Sequence, residues 1–459
     1  MIGLTLAEVA AAVGGELVGA DPAVRVSGAV EFDSRKIAPG GLFLAFPGEH
    51  VDGHDYAAAA IEAGAVAVIA TRPVPVPAVM VGDALTAIGR LARAMVDRLP
   101  DLAIVGITGS SGKTTTKDLI AQLLTPLGTT VAPAGSFNNE LGAPYTVTRC
   151  DAGTRFLVLE MGARGKGHIS YLCEIAPPRI GVVVNVGVSH IGEFGSAEAI
   201  GEAKAELVQA LPPDGVAVLN GDDPRVRAMA GSTPARVVLV GESADAGVRA
   251  EDVTVDGRGR CSYTLVVGGE RAAVTLAVSG RHQVGNSLLA AAVGLELGHD
   301  VAGVAAALGG LRVISSRRMD VFDRADGVTV IDDSYNANPA SMAAALRALV
   351  AIGAGRRTIA VLGSMGELGE YEQAGHEEVG RLAAELGVDR LVAVGEPAAP
   401  IHHGAAAVAS WGGSSVHVSD QEAAVALLRG ELRPGDVVLV KGSRYRTWDV
   451  VDALRGAAA

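Results

Sequence analysis

The segment LAIVGITGSSGKTTTKDLIAQLL, Leu102 to Leu124, places an apolar run, a glycine-serine turn and a helix-forming run in direct succession. A phosphate-binding loop works in that context. The strand delivers the turn to the edge of a sheet, and the helix N-terminus points free N–H groups and a positive dipole end at an anion. Gly109 and Gly112 let the backbone approach phosphate oxygens, with Ser110, Ser111 and Thr115 completing the loop. Lys113 offers a cation to the β- and γ-phosphates, and Thr114 offers a hydroxyl to Mg²⁺. One glycine is missing: the general pattern G-x-x-x-x-G-K-[ST] calls for it where this chain has Ile107.

A strand–loop–helix unit of this kind belongs in a parallel sheet, and its surroundings agree. RFLVLEMG, RIGVVVNVG, the helical EAKAELVQAL and VAVLNGDD alternate strand with helix, which predicts a parallel sheet covered on both faces. Shorter strand-like runs (LFLAF, AVAVIA, AVMV) precede it, and near Arg312 to Arg318 the pattern restarts with VTVID, TIAVLG, RLVAVG and DVVLVKG. The expected fold is therefore α/β in three domains. A small N-terminal α/β domain covers 1–100, a central P-loop ATPase-like parallel sheet covers 101–314, and a Rossmann-like C-terminal domain covers 315–459. The length of 459 residues fits three domains of about 150 residues each.

Composition narrows the function classes. A formal charge of -13 argues against non-specific binding to nucleic acid or an anionic membrane. Cys150, Cys173 and Cys261 are far apart and form no C-x-x-C pair, so they are expected as reduced thiols of a cytoplasmic protein. The N-terminal MIGLTLAEVAAAVGGEL has no positive leader and is expected as an amphipathic helix, and YAAAAIEAGAVAVIA is too short to span a bilayer. Only six of the 38 basic residues are lysine (Lys36, Lys113, Lys117, Lys166, Lys204, Lys441), so each is a candidate for lysine-specific chemistry. For Lys36, Lys117 and Lys166, chance retention is the expectation.

In open α/β sheets the ligand crevice lies at the carboxyl ends of the strands, which sorts the remaining polar residues. Glu160 closes RFLVLE, His190 follows RIGVVVNVGVS, and Lys204 lies in the next helix. Beside a phosphate loop, a strand-end carboxylate is a natural Mg²⁺ ligand, although Glu160 could equally cap a helix and His190 sit satisfied in a loop. DDSYNANP (Asp332 to Pro339), LGSMGELG (Leu362 to Gly369) and VKGSR with Lys441, Ser443 and Arg444 each follow a C-terminal strand. Ordinary β–α turns use the same residue types, but three such clusters favour one shared ligand face.

The shortened TGSSGKTTT loop resembles the Mur ligase superfamily, in which TG-x-x-GKT is the usual form. DSRKIAPGGLFLAFPGEHVDGHDY (Asp33 to Tyr56), FNNELGAPYT (Phe137 to Thr146), DDSYNANP, LGSMGELG with His376 beyond it, and VKGSR extend the resemblance over nearly the whole chain, within the dipeptide-adding branch. The resemblance implies an ATP-dependent amide ligase that joins D-Ala-D-Ala to UDP-muramoyl-tripeptide through an acyl phosphate, acting as a monomer. The N-terminal domain would then bind the UDP-sugar. The resemblance further implies that Lys113 holds ATP, that Thr114 and Glu160 ligate one Mg²⁺ and His190 a second, and that Lys204 is carbamylated. Asn286 would contact the nucleotide, Arg318 the γ-phosphate, and Asp333 and Asn336 ATP from the C-terminal domain. Ser34 and Arg35 fall in the uridine-side motif, Asn138 and Asn139 would touch the muramoyl-peptide, and Lys441, Ser443 and Arg444 the C-terminal face. The chain departs from the pattern at Gln283, where the family often has Asn, at Ser136, and in the run Tyr445 to Asp449. Another amide ligase of the superfamily, adding the third residue or of folylpolyglutamate type, is the nearest alternative. A P-loop ATPase switch would leave Lys204 and the DSR motif without a role.

Overall fold

The computed structural model describes residues 2–48, 51–187, 191–443 and 446–456. Among the described residues three larger sheets follow one another along the chain, and Leu4–Thr5 pairs with Arg25–Val26 in a small two-stranded antiparallel sheet near the N-terminus. In the first of the larger sheets, five short strands take the order Glu16–Val18, Ala78–Met80, Ala67–Ala70, Leu42–Leu44, Val30–Glu31, all parallel except the first pair. The expected N-terminal helix spans Leu6–Val13, where Thr5 and Glu8 form a reciprocal capping box.

The central sheet has nine strands. The phosphate-loop strand Ala103–Thr108 lies between Phe156–Glu160 and Ile180–Val183, parallel to both. Apolar side chains cover both faces: Leu119, Ile120 and Leu123 of the helix Lys113–Leu124 pack on one, and Ala203, Leu207 and Val208 of the helix Ala197–Gln209 on the other. That two-sided burial is why the strands read as continuous apolar runs. One edge departs from the all-parallel expectation, because Arg260–Val267 and Glu270–Ser279 add an antiparallel hairpin. Its two-residue turn, Gly268-Gly269, has φ of 56° and 94°, the sign needed for a turn that matches strand twist.

The third sheet has six strands, five parallel and one antiparallel edge strand, Asp320–Asp323. Thr329–Asp333, Val437–Lys441 and Thr358–Gly363 are adjacent at its centre. Their carboxyl ends and those of the central strands face a common cavity of about 900 Å³.

Candidate active site

The phosphate loop begins two residues later than the general pattern for a packing reason. Ile107 is still inside the strand, paired with Glu160 on one side and Val182 on the other, and is fully buried. The turn therefore starts at Gly109, where an added Cβ would meet the Val184 side chain at 2.8 Å. Gly112 has φ of 80°, and its added Cβ would lie 2.9 Å from Asn286 Oδ1.

Asn185, which the sequence analysis passed over, braces this loop. Its Oδ1 accepts from the N–H groups of Ser110 (3.0 Å) and Ser111 (2.9 Å), and its amide donates to the Ser111 carbonyl and hydroxyl. Those two N–H groups are therefore committed to the protein. The groups left to face an anion are at the start of the helix Lys113–Leu124, where the first turn has no intrahelical acceptors. A polar residue just past the strand beside the loop strand was the available signal.

Lys113 folds back on the loop, its Nζ donating to the Gly109 carbonyl at 2.6 Å. Burial pushes its pKa down, Glu160 opposes this, and Arg318 adds to it. Glu160 is wholly buried: Oε2 accepts from the Ser136 hydroxyl at 3.1 Å, and Oε1 has no hydrogen-bond partner. Asn138 donates to the same Ser136 hydroxyl at 3.1 Å, so the substitution at Ser136 joins the strand-end carboxylate to the Asn138–Asn139 loop. Lys204 is buried in the cavity wall, and burial, reinforced by Lys113, lowers its pKa to about 7.

The C-terminal sheet closes the other side. Arg318 Nη2 donates to Thr114 Oγ1 at 3.3 Å, its guanidinium stacks 4.1 Å over the Tyr335 ring, and its buried Nε has no acceptor. Asp333 Oδ2 accepts from Lys441 Nζ at 2.6 Å, and the same ammonium donates to the Asn336 carbonyl at 2.8 Å. Lys441 thus fixes the Asp333–Asn336 turn from below. Ser443 donates to and accepts from the loop around Ser364 and Gly366. Gln283 accepts from the Asn286 amide at 2.8 Å, so the pair acts as a unit. His376 is a satisfied core histidine, accepting from the Met365 N–H and facing the Glu372 carbonyl.

The structure thus brings the loop residues, Lys204, Asn138, Asn139, Asn286, Arg318, Asp333, Asn336, Lys441 and Ser443 to one cavity. Ser34 and Arg35 lie elsewhere, on a short turn capped by Asp33, with Arg35 paired to that carboxylate at 2.8 Å. The segment just before that turn is nevertheless tied to the Phe137 to Thr146 stretch. Tyr145 donates to Glu31 at 2.6 Å, and its ring lies between Phe32 (5.0 Å) and Phe137 (5.9 Å). His190 and Arg444 lie outside the described residues. Lys117 overturns the expectation of chance retention. It is fully buried, pairs with Asp118 at 2.9 Å, and donates to the carbonyls of Pro133 (2.7 Å) and Gly135 (3.0 Å).

Comparison with known proteins adds an independent line. Residues 107–294 match the Mur ligase middle domain, 317–444 the Mur ligase glutamate ligase domain, and 28–103 the Mur ligase family catalytic domain. The chain is 51% identical to the UDP-N-acetylmuramoyl-tripeptide--D-alanyl-D-alanine ligase of Mycobacterium tuberculosis (strain ATCC 25618 / H37Rv), with 96% of each covered. It is 33% identical to the enzyme of that name from Escherichia coli (strain K12), with 99% of each covered. Its fold matches a crystal structure of MurF from Acinetobacter baumannii with a TM-score of 0.89 at 28% identity, covering 99% of both chains. MurF ligase from Thermotoga maritima in complex with ADP matches with a TM-score of 0.81 at 29% identity, covering 94% of this chain and 98% of that one.

Proposed function

The chain belongs to the Mur ligase family, and from that premise we propose that it joins D-alanyl-D-alanine to UDP-N-acetylmuramoyl-tripeptide using ATP, giving the pentapeptide precursor of peptidoglycan. The observation that carries the reading is the meeting of Lys113, Thr114 and Arg318, from two domains, above the buried Glu160 and Lys204. Two cations converge there on a helix N-terminus, which suits an electron-rich phosphoryl group in transfer.

In this reading a tripeptide carboxylate oxygen attacks the γ-phosphorus of ATP, the bond to ADP breaks, and an acyl phosphate forms. The dipeptide amine then attacks the acyl carbon, loses a proton, and phosphate leaves. Lys113 and Arg318 offset the repulsion between carboxylate and triphosphate, while Asn138 and Asn139 hold the peptide in line. Asp333 and Asn336, steadied by Lys441, reach the nucleotide from the C-terminal side, and Asn286 from beneath the loop. Ser443 lies toward the incoming amine. Closure of the cavity excludes water, which would otherwise hydrolyse the acyl phosphate.

The donor set fits Mg²⁺. Glu160 Oε1 is buried with no partner, and the Thr114 hydroxyl lies at the helix start. Among the described residues no group of three His, Cys, Asp or Glu side chains is arranged for a metal; substrate, water and a modified Lys204 are the sources of further oxygen donors in this reading, with His190 expected at a second ion. A pKa near 7 keeps much of the Lys204 amine neutral at physiological pH. Its lone pair can then add to CO₂ and, on losing a proton, become a carbamate oxygen ligand. When bound, the metal supplies Lewis-acid stabilisation of charge on the transferring phosphoryl oxygens. Ser34 and Arg35 serve the UDP end, and we place the reaction in the cytoplasm, where ATP is made. No helix among the described residues is long and apolar enough to cross a membrane.

Phosphate release from ATP and Mg²⁺, with the two substrates supplied singly and together, tests the reading. Release that needs both, with a product heavier by the dipeptide, supports it. Release with neither substrate would establish the ATPase switch instead, and silence with both would point to another acceptor or amine.

A further inference from the structure

The phosphate-loop helix carries Thr114, Asp118 and Gln122 four residues apart, so the three share one face. Each is bonded to the segment that leads from the central sheet into the C-terminal one. The Gln122 amide donates to the Arg312 carbonyl at 2.6 Å, and its oxygen accepts from the Arg312 N–H at 3.3 Å. Asp118 Oδ2 accepts from the N–H groups of Ile314 (3.0 Å) and Ser315 (2.8 Å), and Oδ1 from the Ser315 hydroxyl (3.2 Å). Thr114 then accepts from Arg318. Helix numbers rise as linker numbers fall, so the linker runs antiparallel along the helix, in a register set by side chains bonded to main chain.

Two features mark this as more than a fastening. Just past the anchor, Arg317 and Met319 have φ of 62° and 52°, a left-handed conformation that residues with a Cβ hold only when their surroundings impose it. The backbone on both sides of Arg318 is therefore constrained. Beside Asp118, the buried Lys117 donates to Pro133 and Gly135, in the turn that leads to Ser136 and Asn138, and its Nζ also reaches the Ser315 hydroxyl at 3.3 Å. A buried ion pair is seldom a better source of stability than apolar packing, so positional control is the more fitting role.

We propose that Asp118, with Lys117 as its counter-ion, is a positioning residue for Arg318: by fixing the linker along the phosphate-loop helix it sets where the guanidinium stands over Thr114. Asp118 is buried and does not line the cavity. The inference rests on the ligase reading above, which gives Arg318 its place at the transferring phosphate.

The test uses the full-length protein and its amide-forming rate in wild type, Asp118→Asn, Arg318→Ala and the double variant. Asp118→Asn is expected to lower kcat at least about tenfold while the KM for ATP changes less than about threefold. In the Arg318→Ala background the same substitution is expected to change kcat less than about twofold, because the group it positions is gone. An equal loss with and without Arg318 would mark a general structural role and overturn the inference, as would an Asp118→Asn kcat within about twofold of wild type. Gln122→Ala leaves the buried pair intact and is read in the same way if Asp118→Asn does not melt cooperatively. Wild-type protein that makes no amide from the two substrates overturns the ligase reading and this inference together. Active wild type with an indifferent Asp118→Asn overturns the inference alone.

Discussion

Lys204 combines a functional asset with a stability liability. Its folded-state pKa of about 7 lies below the ordinary lysine value of 10.5. Between those values the unfolded chain holds a proton that the folded chain has released, so this group makes stability rise with pH across that window. Lys204→Met is therefore expected to melt above wild type at about pH 7 in CO₂-depleted buffer, with the gap narrowing toward about pH 10, while amide synthesis falls at least about a hundredfold. Calorimetry at both pH values checks the first part, and a gap independent of pH would contradict it. The scarcity of lysine made Lys113, Lys204 and Lys441 legible as special in the sequence. Lys117 was not, because TTTKD looks like a solvated helix face. In fact Thr114 to Ile120 are all buried, since the helix is wrapped by loop, sheet and linker, and burial from all sides erases the amphipathic pattern that sequence reasoning relies on.

Among elements, those with one dominant period were legible: the apolar parallel strands and the helices between them fall where the runs of Val, Ile and Leu place them. The edge hairpin was missed although VVGGE carries the Gly-Gly turn signal and residues 260–265 alternate half-buried with buried side chains, because the start of its second strand, residues 270–273, shows no such alternation. Neither Asn185 nor the Asp118 ladder could be found from spacing, since both join segments distant in sequence. At the phosphate loop, Gly112→Ala would force a Cβ into the left-handed region and against Asn286. ATP affinity is expected to weaken at least about tenfold, equivalent to about 1.4 kcal/mol, as isothermal titration would record. A different contact governs the C-terminal helices Glu372–Glu385 and Ala399–Ala406. An added Cβ at Gly380 would lie 1.9 Å from the Ile401 carbonyl oxygen. Gly380→Ala is expected to destabilise the fold by about 1–3 kcal/mol in chemical denaturation, with ATP affinity unchanged once folded.

For the whole molecule, the informative contact joins the central and C-terminal sheets by backbone alone. The Gly192 N–H donates to the Glu367 carbonyl at 3.2 Å, and an added Cβ on Gly192 would lie 2.7 Å from Gly369 N. That approach needs the two domains close together, whereas the phosphate loop is complete within one of them. Gly192→Ala is therefore expected to lower kcat about tenfold and leave ATP binding within about twofold. Equal losses in both would show that the contact shapes the loop and not closure. The lysine distribution also has a practical consequence for anyone attaching this protein to a dye or a surface. Lys117, Lys204 and Lys441 are buried, while Lys36 and Lys166 are exposed and neither lines the cavity. Amine-reactive chemistry thus meets few handles outside the cleft, while inside it Lys113, with the buried Lys204 and Lys441 in the wall, offers amines whose acylation rate, and its protection by ATP, would report how often the cleft stands open.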